Sequence, residues 1–146
     1  MRTLERFSGT VLLCDAAHGD RGKLHVLGAG WTQTGPDADR ISAIVNVQVP
    51  PETDTEVRVQ LLIWRRDPFN NDGRPDAEAE IVALMEHEST EEAPPSWQLL
   101  APISVPVRLR PATAYVVELR ANKTSLAFVT FATRDYEPDV PGGEDR

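Results

Sequence analysis

At 146 residues the chain has the length of one domain with one substantial core, too short for two comfortable ones. Hydrophobic residues make up 40% and charged residues 26%, ordinary for a soluble globular sequence, and no apolar run approaches the roughly 20 residues of a membrane-spanning helix. The net charge of −8 argues against a nucleic-acid partner, because the 15 basic residues form no long run and the Arg65-Arg66 pair is followed at once by Asp67.

The N-terminus, MRTLERFSG, carries Glu5, and the apolar run after it is short and ends at Asp15, unlike a secretion signal. The expected location is the cytosol, or a virion or similar particle assembled there. One cysteine, Cys14, excludes an internal disulfide framework and, set in Val11-Leu12-Leu13-Cys14, reads as a small buried core residue.

Two apolar runs, Val11 to Ala17 and Leu24 to Leu27, flank the turn signal His18-Gly19-Asp20-Arg21-Gly22 and predict an opening β-hairpin. In Ile41 to Val49, alternation puts Val45, Val47 and Val49 on one face and Asn46 and Gln48 on the other, until Pro50-Pro51 stops the strand. The next strand puts Val57, Val59, Leu61 and Ile63 on a core face, with Arg58 and Gln60 on a wet one. Asp67 to Asp76, dense in Asn, Asp, Gly and Pro, is a loop.

Glu80 to Glu86 is open between strand and short helix, and Ile81-Val82 favours strand. His87 to Pro95 is an acidic loop. Trp97 to Leu109, with Pro102 and Pro106, fits an irregular or edge strand. Ala114 to Arg120 puts Tyr115, Val117 and Leu119 on one face, Ala121-Asn122-Lys123-Thr124 turns the chain, and Leu126 to Ala132 returns. Both faces of that last strand are apolar, which predicts a central or doubly covered position. The tail, residues 135–146, is rich in acid, proline and glycine, a composition that should not fold alone.

About eight strands with turn punctuation and no sustained helical periodicity predict a single antiparallel β-sandwich over residues 1–134. The stretch Leu109-Arg110-Pro111-Ala112-Thr113-Ala114-Tyr115 resembles the corner of immunoglobulin-like sandwiches, where a tyrosine hydroxyl closes the turn beneath it. An ordinary core tyrosine after a proline turn is the other reading.

Leu12-Leu13-Cys14-Asp15-Ala16-Ala17, followed by Gly22-Lys23-Leu24-His25-Val26-Leu27-Gly28-Ala29-Gly30-Trp31, resembles the opening of an uncharacterised bacterial and phage domain family. Many of its members come from actinobacteria or their phages. The resemblance is good over residues 10–33, loose over the later strands and absent from the acidic loop and tail. It implies a β-sandwich and brings no catalytic residue or cofactor with it. It also suggests tight turns or close strand approach at Gly22 and Gly28, a core cap at Trp31 and a turn held by Asp15.

Candidate chemistry is sparse. His87-Glu88-Ser89-Thr90-Glu91 lacks the second histidine of a zinc-protease helix, and Pro94-Pro95 follow it. Asp67 to Gly73, read as a calcium loop, puts Pro68 at the first ligand position and Ala79 at the twelfth. Gly28-Ala29-Gly30 has Gln33 where a dinucleotide loop needs its third glycine. No serine lies in a nucleophile elbow. His18 and His25, near Asp15 or Asp20, could approach each other on the first hairpin, though such histidines more often sit in solvent.

No catalytic, metal or cofactor site is expected. Trp31, Trp64 and Trp97 are core filling or a contact surface, and Trp64, Arg65, Arg66, Trp97 and Tyr136 are the candidate partner contacts. The expected function is a non-enzymatic structural or interaction module that binds a protein partner or a second copy. Its most concrete form is a decoration-type accessory protein of a virion. The alternative is a module binding a carbohydrate or small molecule.

Overall fold

A computed structural model describes residues 7–21, 23–50, 56–66, 73–84 and 97–135. The described residues form ten strands and no helix: β1 (Ser8–Cys14), β2 (Ala16–Asp20), β3 (Lys23–Leu27), β4 (Gln33–Thr34), β5 (Arg40–Val49), β6 (Glu56–Arg65), β7 (Ala77–Leu84), β8 (Trp97–Pro106), β9 (Ala114–Ala121) and β10 (Thr124–Thr133). One sheet has the order β1-β5-β8 and a second the order β4-β10-β9-β6-β7, while β2 and β3 form a separate hairpin. All pairings are antiparallel except the short parallel one between β4 and β10.

The two large sheets share one core, which makes the arrangement sandwich-like. Ile41, Ala43, Val45, Val47 and Val49 of β5, with Ile103 and Val105 of β8, meet Val57, Val59, Leu61 and Ile63 of β6 and Tyr115, Val117 and Leu119 of β9 in a single buried cluster. Successive residues of a strand point to opposite faces, so the valine alternation in the sequence becomes this dry interior. Gly9 of β1 marks a close approach of the sheets, since a Cβ there would stand 3.1 Å from both Leu119 and Leu126. A side chain there would also crowd the Asn46 carbonyl oxygen, 3.0 Å from that Cβ, so these neighbours would have to give way.

The strand count differs from the expected eight or so because Asp15 divides the first apolar run between β1 and β2, and because β4 carries little sequence signal. The hairpin turn is also tighter than expected. His18, Gly19 and Asp20 belong to β2, and Asp20 pairs with Lys23, leaving residues 21–22 as the connection. Arg21 takes a left-handed φ of 53°. Gly28 has a φ of 65°, as a tight turn requires, whereas Gly22 lies outside the described residues.

The segment from Glu80 is strand, within β7, and β8 is an edge strand that accommodates Pro102 and Pro106. The doubly covered position expected for the last strand is overturned. Strand β10 lies between β9 and the two-residue β4, and Phe128 on its outer face is 63% exposed. Phe131 is buried, and Leu126, Ala127 and Val129 pack against the core, so β10 is an interior strand covered on one face alone. The acidic loop, most of the proline-rich loop before β7 and the tail beyond Asp135 lie outside the described residues.

The Tyr115 corner is closed by its hydroxyl. Tyr115 is fully buried, its ring stacks on Phe131 with centroids 5.1 Å apart, and the Arg110 N–H donates to its oxygen at 2.8 Å. The hydroxyl of Thr133 donates to the Arg110 carbonyl. Both backbone groups of Arg110 are thereby satisfied at a turn where Ala112 takes a φ of 51°.

Candidate interaction face

Strand alternation sends Leu62 and Trp64 of β6, Val116, Glu118 and Arg120 of β9, and Phe128 of β10 to the outer face of the five-stranded sheet. The register sets them side by side, with Leu62 opposite Glu118, Trp64 opposite Val116, and Phe128 opposite Glu118 on its other flank.

Glu118 is buried, which is unusual for a carboxylate on the outer side of a sheet. The Trp64 indole N–H donates to its Oε1 at 3.0 Å, and the Arg120 guanidinium donates to its Oε2 at 2.9 Å. The Arg120 guanidinium carbon also lies 6.0 Å from the centre of the Trp64 ring, at the limit of cation–π range. Burial by itself would push the Glu118 carboxyl up. The donors from Arg120, Ser125 and Trp64 outweigh that and hold it below its ordinary value. The unit is a fixed aromatic–acid–base clamp, with its charges neutralised and its indole orientation set.

Beside the clamp the face turns polar. Arg58 is held between Glu56 and Glu80, both at 2.9 Å, and Gln60 donates to Glu80 at 3.2 Å. These groups, with Asn122 and Lys123, line a shallow groove of about 690 Å³. Asn122 ties the β9–β10 turn to β6, its Oδ1 accepting from the Arg58 N–H at 2.8 Å. At the far edge, Val82 and Leu84 of β7 are exposed. The face thus has a rigid centre, an exposed aromatic on one flank and aliphatic residues on the other.

Of the residues singled out from the sequence, Trp64 sits in this face. Arg65 alternates away from it and pairs with Asp76 at 2.9 Å. The Arg66 N–H bonds the Ala114 carbonyl at 3.0 Å, and its side chain is exposed. The Trp97 side chain and Tyr136 lie outside the described residues. Trp31 is elsewhere, packed edge-on against Phe131 at 5.4 Å, so the described tryptophans do not form one stacking platform.

Sequence reasoning missed Glu118, Arg120 and Phe128. The alternation of AYVVELR already opposed Glu118 to Tyr115 and Val117, but only the pairing of β6 with β9 brings it to Trp64.

His18 and His25 do meet, as a directly paired, stacked couple with ring centres 5.1 Å apart. Both are exposed, and among the described residues no three His, Cys, Asp or Glu side chains are placed to share a metal. Cys14 is buried, and burial, followed by the charge of Asp15, pushes its thiol up, which keeps it protonated.

No family model matches this chain, and no curated protein matches it.

Proposed function

We propose that this chain is a non-enzymatic interaction module that docks a protein partner on the outer face of the five-stranded sheet. The observation that carries this reading is the Trp64–Glu118–Arg120 clamp with Phe128 exposed beside it. A preorganised Trp and Arg next to an open aromatic have the composition of an interface hot spot. Because the clamp is already ordered, little side-chain entropy remains to be lost when a partner covers it.

The finer architecture we read as immunoglobulin-like. The Tyr115 hydroxyl on the Arg110 N–H and the penultimate place of β9 support that reading. The most concrete form of that role is an accessory, decoration-type protein of a virion or similar assembly.

The test is affinity capture of the tagged full chain from a lysate of its source, beside a Phe128→Thr variant. Phe128 is 63% exposed, so the variant should fold normally. Near-stoichiometric retention of a coat- or shell-type protein by the parent chain, and its loss from the variant, is the expected result. Recovery of the chain alone, or equal retention by both, overturns the reading.

A further inference from the structure

A second surface stands beyond the C-terminal end of β6 and is cationic in an otherwise acidic chain. After β8 ends, its alternation continues: Val107 is buried, Arg108 exposed, Leu109 half-buried and Arg110 exposed. The two arginines project on the same side of the extended segment. With Arg65, Asp76 and Leu109 they line a groove of about 360 Å³. Asp76 is committed to Arg65 through both carboxylate oxygens, at 3.2 and 2.9 Å. Arg108 and Arg110 have no ion-pair partner among the described residues.

The groove is rigidly built. Arg110 is pinned at its N–H by the Tyr115 hydroxyl and at its carbonyl by Thr133. Two guanidinium groups without an ion-pair partner among the described residues suit carboxylates, which a guanidinium fork binds with two hydrogen bonds.

The same contacts locate a supply of carboxylates. Thr133, which holds Arg110, is followed by Arg134, whose carbonyl accepts from the Ala112 N–H at 3.0 Å. The chain then continues into residues 136–146, which carry Glu137, Asp139, Glu144 and Asp145 against a single Arg146. Eleven residues can extend over roughly 36 Å, far more than the few residues of turn between Arg134 and the groove.

We propose that the Arg65–Arg108–Arg110 groove is a carboxylate-binding site and that its occupant is the chain's own acidic C-terminal segment, residues 136–146. Exposed ion pairs are individually weak, but a short tether gives its carboxylates an effective concentration of about millimolar at the groove. The docking is therefore intramolecular, salt-sensitive and displaceable by a competing acidic segment.

The test is the arginine side-chain N–H spectrum of the full chain, recorded by ¹⁵N-correlated NMR. It is compared with a full-length variant neutralised at Glu137→Gln, Asp139→Asn, Glu144→Gln and Asp145→Asn. Salt is raised from about 0.01 M to about 1 M, over which the screening length falls from roughly 30 Å to about 3 Å. In the parent chain the Arg108 and Arg110 resonances should move with salt toward their positions in the variant, which should itself lose most of that response. Adding a synthetic peptide of residues 135–146 to the variant should return them. Arginine resonances that coincide in the two proteins at low salt overturn the proposal. A response that grows with protein concentration also overturns it, because the occupant would then be the segment of a second copy.

Discussion

Glu118 and Trp64 stand on neighbouring strands, joined by a 3.0 Å bond from the indole N–H to a carboxylate that the sheet has removed from water. A buried charge is tolerated only where it is paired and hydrogen-bonded, and Arg120 completes that requirement. The clamp is therefore at once a stabilising element and a sensor of acid.

The pH dependence follows from its direction. The Glu118 carboxyl titrates below its ordinary value of 4.5 in the folded protein. The stability it contributes is complete above that value and is lost as pH falls through the lower, folded-state value. Urea unfolding of Glu118→Gln should show a constant deficit from neutral pH down to 4.5 and a shrinking one below it. A deficit that does not change with pH would mean that the carboxylate charge is not what the clamp uses.

Tyr115→Phe removes one oxygen and leaves the Arg110 N–H without its partner. The expected loss is about 1–3 kcal/mol, the cost of stranding a desolvated donor. In a chain of this length that lowers Tm by several degrees, measurable by calorimetry. Unchanged melting would reduce the corner to simple packing.

Trp31 offers the opposite case. Its indole nitrogen is buried and finds no hydrogen-bond partner among the described residues. Trp31→Phe removes that orphan donor while keeping an aromatic ring against Phe131, so its cost should stay within about 1 kcal/mol. Trp31→Ala should cost about 3 kcal/mol, through lost packing. Equal losses from both would show that the indole nitrogen matters, and chemical denaturation separates the two outcomes.

Gly28→Ala places a Cβ at 2.0 Å from the Asp15 carboxylate, on a residue with a φ of 65°. The left-handed backbone alone should cost about 1–2 kcal/mol. Introducing Asp15→Ala as well should relieve the steric share and leave the backbone share. A double-mutant cycle reads the difference, and strictly additive losses would disprove the contact.

These sites differ in how far the sequence announced them. The core valines of β5 and β6 and the turn at Asn122-Lys123 were legible because local alternation and turn chemistry specify them. Trp64 was visible as an aromatic beside two arginines, but Glu118 was not visible as its partner. The two are 54 residues apart in sequence, and which residue of β9 stands beside which of β6 is set by packing of the whole sheet. Phe128 misled for the same reason. Its apolar neighbours read as a covered strand, but the second sheet packs against the core side of β10 and not against the side of Phe128.

The edges of the sheets also limit how copies of this chain can meet. Strand β8 lies at an edge with Pro102 and Pro106 in it, and two of its ten positions have no N–H to offer an added strand. In the five-stranded sheet, the edge strand β4 is only two residues long. Neither margin is a good template for the edge-to-edge pairing that seeds fibrils. Pairing of copies through their sheet edges is thereby left to the other two edge strands, β1 and β7.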